Sequence, residues 1–398
     1  MKRILSLFLA LAALCSLAAC GEKEPPEPPV PNVIRDLLEV EPEETLLTVD
    51  GNELSVGVYL YQFLYTCQRL SQYYGDYLLD QEGNFLWDQD MGDGTTVLDL
   101  LRDATEANAL SYAVVENLSK THGVELTEED QAELDETLQR YVEEAGGEEA
   151  YREELGRMGL TWDDNLRLAR GYYYYLNLLD RCVTPGNDLY ITDEVLYANE
   201  EITEDSVMAD HILFRTGEDE EQNQQARSVM EEMKTMLDEA EDPVALFTAL
   251  ADSYSQDPGR TYYPNGYVFG RGVMVQPFED AAFALGEYEI SDIVESEHGY
   301  HLILRKPLRD YIKDSYLQDL LDQAKESAVI EWNQELLDKI SLPDFYTGYL
   351  AWTEAQNASE EDGNTDGNSD TTPEGGAENT PENGGTQSPE TSGDNPQS

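Results

Sequence analysis

Near residue 206 the chain changes its period, and that change limits the available folds more than any other feature. From residue 97 to 182 apolar residues recur at helical spacing. Beyond it, strand-like runs at 207–214, 291–294 and 300–305 are interleaved with helical stretches at 219–240, 243–254 and 277–285. Asp257-Pro258-Gly259 and Pro264-Asn265-Gly266 mark turns between them. A strand, helices and then several strands within about 100 residues describe a small α+β domain with an antiparallel sheet. It is expected as an insertion between helical regions on its N- and C-terminal sides.

Those regions carry their own signals. Residues 45–49 read as a strand, Asp50-Gly51 as a turn, and Ser55 as the N-cap of an aromatic-rich helix reaching about Tyr74. Thr127 with Asp130, and Thr161 with Asp164, place a capping hydroxyl three residues before a carboxylate, the pattern of a helix start. A further amphipathic helical stretch is expected over 311–340. Tyr172 to Tyr175 are four tyrosines in a row inside a helix, so they point all around it. Either they pack between long helices or part of them offers an apolar surface to other proteins.

The two ends differ in composition. Lys2 and Arg3 precede an apolar run and small residues, the pattern of an export signal over residues 1–20. Leu17-Ala18-Ala19-Cys20-Gly21 resembles the lipobox of bacterial lipoproteins, which implies lipidation of Cys20 and attachment to the cell membrane on its extracytoplasmic side. Residues 21–43, rich in Pro and Glu, read as an extended tether. From 354 to 398 the chain has almost no apolar residues and reads as a disordered acidic tail. The expected organisation is therefore 1–20 signal, 21–43 tether, 44–205 helical region, 206–308 α+β domain, 309–353 C-terminal helical region and 354–398 tail.

Charge and cysteine narrow the partners. The 24 Lys and Arg against 83 Asp and Glu give a formal net charge of −59, which argues against nucleic acid, since a phosphate backbone demands a cationic face. Such acidity is a solvated, self-repelling surface or a site for basic clients. Cys15 leaves with the signal, so Cys67 and Cys182 are the only thiols left beside Cys20; one bridge and two buried thiols both fit. Self-association as a homodimer is left open.

Three of the four histidines, His211, His298 and His301, fall in the α+β segment. Here the sequence resembles the parvulin family of peptidyl-prolyl isomerases at successive landmarks. They are His211-Ile212-Leu213; 247–251 with Tyr254-Ser255-Gln256-Asp257; 274–285; Glu289-Ile290-Ser291; and 299–303. The resemblance implies a four-stranded antiparallel sheet with surrounding helices, and the whole chain also looks like the membrane-anchored foldases of the same superfamily, in which a helical chaperone region carries the parvulin domain as an insertion. The resemblance implies an enzyme that turns Xaa-Pro bonds in unfolded or newly exported proteins and holds those chains. The alternative is a holding chaperone whose parvulin domain is idle.

That chemistry needs no nucleophile, cofactor or metal. Rotation crosses ~18–20 kcal/mol, most of it lost amide resonance, so gripping the proline ring in a dry apolar pocket can lower it. Met274 and Phe278, four residues apart at a helix start, can share one face of such a pocket, with Val268 or Phe269 as a third wall. By family match His211, Asp257, Ser296 and His301 form a polar network beside the amide, with a structural histidine pair as the plainer reading of His211 and His301. His298 and His301 are three apart in an extended segment, which sends them to opposite faces and argues against a metal chelate. The acidic loop after the first strand, Glu218 to Glu221, would repel a phosphorylated ligand. A two-lobed solute-binding protein and a serine hydrolase are excluded by the long helical region and by the lack of a Gly-x-Ser-x-Gly elbow.

Overall fold

The computed structural model describes residues 30–92 and 94–363. The signal segment with Cys20, most of the tether and the tail beyond 363 lie outside the described residues. In chain order come α1 (Val33–Leu38), β1 (Thr45–Val49), β2 (Asn52–Ser55), α2 (Val56–Leu78), α3 (Val97–Thr121), α4 (Glu128–Ala145), α5 (Glu148–Arg157), α6 (Trp162–Val183) and α7 (Asp193–Leu196). Then follow β3 (Val207–Arg215), α8 (Glu220–Glu239), α9 (Pro243–Tyr254), a 3-10 turn (Pro258–Thr261), β4 (Tyr267–Phe269), α10 (Gln276–Ala284), β5 (Val294–Ser296) and β6 (Gly299–Lys306). The chain ends in α11 (Arg309–Ser327), β7 (Ile330–Trp332), α12 (Gln334–Leu337) and α13 (Leu342–Gly363). Two compact units divide the chain at Tyr349 and Leu350; the described part of the second is the remainder of α13.

The helices start where their caps say. Thr127 and Thr161 form reciprocal capping boxes with Asp130 and Asp164, and a third, Thr96 with Asp99, opens α3. Asp164 does more than cap α6. Its second oxygen accepts the Ser55 hydroxyl at 2.7 Å, and Ser55 in turn caps α2 by accepting from Val58 N–H. Two helix starts 109 residues apart thus share one buried carboxylate, with every contact charge-assisted. Gly57 has to be glycine beside this joint, because a Cβ there would lie 2.8 Å from the Gly159 carbonyl oxygen.

Three expectations are corrected. The tether ends earlier than residue 43: α1 is capped by Asn32, Val33 and Ile34 have no exposed surface, and Ile34 packs on Gly159. Its Pro- and Glu-rich flank masks a short apolar turn that buries well. The stretch 311–340 is not one helix. It breaks at Ala328, and β7 pairs antiparallel with β1 (Leu47 with Trp332, Val49 with Ile330), completing a β2-β1-β7 sheet. β-branched Ile330 next to Trp332 suits a pleated strand better than a helix. The tail begins later than residue 354, since α13 runs to Gly363.

Cys67 and Cys182 are both free and buried, and burial raises both thiols, Cys182 to about 11. Of the four adjacent tyrosines, Tyr173 is buried against Leu134 and Leu138. Tyr172 is 60% exposed and lines a groove of about 230 Å3 between α3 and α6 with Tyr112, Val115 and Tyr175. Packing and exposure therefore fall to different members of the run.

The inserted sheet has the order β4-β3-β6-β5, all antiparallel. Along β3 the side chains alternate. Ile212, with Leu302 and Leu304 of β6, packs under α8 and α9 against Phe247, Met230 and Leu237. Val207, Ala209 and Ile303 face the other way, against Phe278 and Ala282 of α10. Where the chain re-enters the helical part, Arg309 donates to the Ile191 carbonyl at 2.8 Å, pairs with Asp193 and covers the Tyr190 ring.

Ile34→Ala should lower stability by about 3 kcal/mol, read by urea denaturation, because it empties a site with no exposed surface. A tether residue would cost almost nothing.

Candidate active site

Pairing of β3 with β6 places Leu213 opposite His301 and His211 opposite Ile303, so the two histidines are diagonal neighbours on one face. Their ring centroids are 5.3 Å apart and their Nδ1 atoms 3.3 Å apart. His301 is 2% exposed, and its Nε2 lies 2.7 Å from Ser296 Oγ on β5. Ser296 Oγ also accepts the His298 N–H across the turn into β6. Gly299 closes that turn at φ 139°, where a Cβ would sit 2.1 Å from the Phe214 carbonyl oxygen.

Asp257 reaches the site because the segment after α9 docks on the free end of β3. Ser255 Oγ accepts from Leu213 N–H and Gln256 N–H donates to the Leu213 carbonyl. The following 3-10 turn is pinned by Arg260, which bridges buried Asp210 at 2.7 Å and Asp252 at 2.6 Å. Asp257 Oδ2 then stands 3.0 Å from His211 Nε2, an ion-pair distance with the ring N–H angled off the hydrogen-bond line. The same oxygen accepts the Tyr267 hydroxyl at 2.6 Å, and Oδ1 accepts Gly259 N–H at 3.1 Å. Although burial alone would raise the carboxyl, these donors hold it well below the usual carboxylate range.

The ionised carboxylate suggests one proton arrangement for the row. With Asp257 ionised, His211 carries its proton on Nε2 and accepts at Nδ1 from His301 Nδ1–H; His301 Nε2 accepts from Ser296. His301 is neutral in this scheme, and burial above all pushes its pKa down to about 4.

Apolar walls stand over this floor. Phe278 meets His211 and His301 edge-on, with centroids at 5.1 and 5.4 Å, and Phe269 lies 5.9 Å from Phe278. Met274 packs against the same cluster. Val268 is the exception among the expected residues. It pairs with Met208 between Tyr267 and Phe269, so strand alternation turns it to the opposite face. Tyr267 takes the place beside His211, at a centroid distance of 5.8 Å. Two residues from Phe269 and paired with Ala209, it shares that face. His298 is on the surface, its side chain 55% exposed, and takes no part in the row; among the described residues no group of His, Cys, Asp and Glu could hold a metal ion.

Residues 211–306 match the family model described as Rotamase, PPIC-type PPIASE domain. Residues 211–306 form a parvulin-type domain, and the chain around it is similar to PrsA foldases. It is 36% identical over 156 residues to a foldase protein PrsA of Geobacillus sp. strain WCH70, covering 36% of this chain and 51% of the relative, about half its length. Identity to the foldase protein PrsA of Staphylococcus aureus strain MRSA252 is 28% over 261 residues, 61% of this chain and 74% of the relative. Among solved structures it is similar to NmPin, the parvulin of Nitrosopumilus maritimus, at 33% identity over 27% of this chain and 100% of that one, with a TM-score of 0.20. The parvulin match begins at the first histidine of the row and ends with β6, so all four network residues lie inside it.

The protonation scheme is testable by titration. His301 should titrate near 4 by NMR, below its ordinary 6.5. The unfolded chain takes up that proton at higher pH than the folded one, so stability falls as pH drops from 6.5 toward 4. Asp257, held low, adds stability that is present above the ordinary 3.8 and is lost only further down. A His301 midpoint at its ordinary value would overturn the neutral row.

Proposed function

We propose that this face of the parvulin domain turns Xaa-Pro bonds in exported, unfolded proteins, with Met274, Phe269 and Phe278 gripping the proline ring over the His211–His301 floor. The observation that carries this reading is the edge-on contact of one phenyl ring, Phe278, with both imidazoles. A planar amide is polar and prefers water; the twisted amide has lost resonance and much of that polarity. An apolar wall over the two buried imidazoles therefore favours the twisted state. Asp257 and Ser296 keep the two rings in one tautomer and orientation. No proton passes to the substrate and no covalent bond forms.

The helical part would hold client segments while this happens, with the exposed Tyr172 and its groove as the apolar surface available. Lipid on Cys20 would hold the protein at the extracytoplasmic face of the cell membrane; no helix among the described residues is long and apolar enough to cross one. In that case Cys20→Ala abolishes palmitate labelling and releases the protein from the membrane fraction, and a labelled Cys20→Ala protein would exclude this anchor.

Catalysis is read by NMR exchange of cis and trans Ala-Pro in a short peptide with the full chain. Wild type should accelerate exchange, and folded Phe278→Ala should lose at least about tenfold in kcat/KM, since removing a buried phenyl ring costs more than 1.4 kcal/mol. Because Glu218, Asp219, Glu220 and Glu221 follow β3 closely, a phospho-Ser-Pro peptide should be turned over more slowly than Ala-Pro. No acceleration by the folded wild type would leave the holding chaperone as the function.

A further inference from the structure

The carboxylate at the head of the row is held by a residue pair that closes on itself. Tyr267 donates its hydroxyl to Asp257 Oδ2 at 2.6 Å. Its ring is wedged between Tyr263, at a centroid distance of 5.0 Å, and His211, at 5.8 Å and 71°. The ring therefore has one place to sit. Gly259 lies directly beneath that hydroxyl: a Cβ at 259 would stand 2.0 Å from Tyr267 Oη and 3.1 Å from its Cζ. Gly259 has no left-handed backbone to explain its lack of a side chain, and its N–H donates to the other Asp257 oxygen at 3.1 Å.

We infer that Tyr267 is a positioning residue of the isomerase, and that residue 259 is glycine to admit its hydroxyl to Asp257. The two donors clamp both carboxylate oxygens from opposite ends. A clamped carboxylate keeps the His211 proton on Nε2, and that choice leaves Nδ1 free to accept from His301 Nδ1–H. With the hydroxyl removed, Asp257 keeps Gly259 but is free to rotate about Cβ–Cγ, and His211 exchanges between tautomers. Tyr267 touches the carboxylate and the imidazole, and it acts through them.

This inference rests on the isomerase reading for its kinetic consequence and on geometry alone for its tautomer consequence. The chain has four histidines, so the full chain labelled with 15N-histidine gives four resolvable rings in a long-range 15N–1H correlation spectrum. Wild type should show His211 protonated on Nε2 and His301 on Nδ1. Tyr267→Phe keeps the ring and removes one hydrogen bond to a charged group. It should give mixed tautomers at His211 and about tenfold lower kcat/KM with KM little changed. Gly259→Ala should do the same by displacing the hydroxyl. In the Tyr267→Phe background, the same glycine substitution should cost less than about twofold, because its partner is already gone.

Unchanged tautomers and rate in Tyr267→Phe would overturn the assignment. So would a Gly259→Ala cost that is equal with and without the hydroxyl. Should wild type fail to accelerate exchange, the isomerase reading fails, and the tautomer spectrum alone still decides whether Tyr267 positions the row.

Discussion

The antiparallel register of β3 on β6 is the constraint on which everything else depends. It joins residues about ninety positions apart in sequence, and it alone makes His211 and His301 diagonal neighbours. A slip of one residue would send one histidine under α8 and α9 and leave the other under α10. The register is fixed by what each face buries, Ile212 with Leu302 and Leu304 on one side and Ala209 with Ile303 on the other. The loop-closure cost of such a long connection is met by α8 and α9, which pack on the strand between them and shorten the effective loop. Site and core are thus one arrangement: a change that loosens the sheet moves the histidines before it unfolds anything.

The helical part solves a different problem, that of receiving the chain back after the insertion. β7 returns to β1, Phe345 and Tyr346 pack on Phe63, and α11 lies against α6 and α3. The buried Asp164 then ties the start of α6 to the start of α2. Contacts of this type are local in space and remote in sequence, and through β7, Phe345 and Tyr346 the C-terminal segment completes the packing of the N-terminal part.

This division explains what could be read from residues alone. Helix starts were legible because capping is local: Thr127, Thr161 and Ser55 each satisfy backbone donors within three residues. The histidines, Asp257, Ser296 and the Met274–Phe278 pair were legible because the parvulin landmarks carry their order. What escaped was whatever needs a partner chosen by tertiary structure. α1 is six residues long and buries against Gly159, which nothing near Val33 announces. β7 is a three-residue strand whose identity is set by β1. Val268 was placed in the pocket and Tyr267 left out because a three-residue strand gives no alternation to count, and only the pairing of Met208 with Val268 settles its parity.

The electrostatics of the floor follow from the same geometry. A chain with a net charge of −59 should favour protonated histidine everywhere, since its field attracts protons. Yet that field fades over a Debye length of about 8 Å in physiological salt, while burial acts on the ring itself. At His301 burial is the largest influence and His211 the next, both disfavouring charge, and Asp257, two rings along the row, only partly offsets them. The acidic surface and the neutral floor are therefore compatible. The carboxylates of the surface are screened by water from the pocket. The one carboxylate that matters inside is held where it stands by donors from Tyr267 and Gly259 and by its approach to His211. A pocket built this way needs no catalytic charge of its own, which is what an isomerisation that loses polarity at its barrier requires.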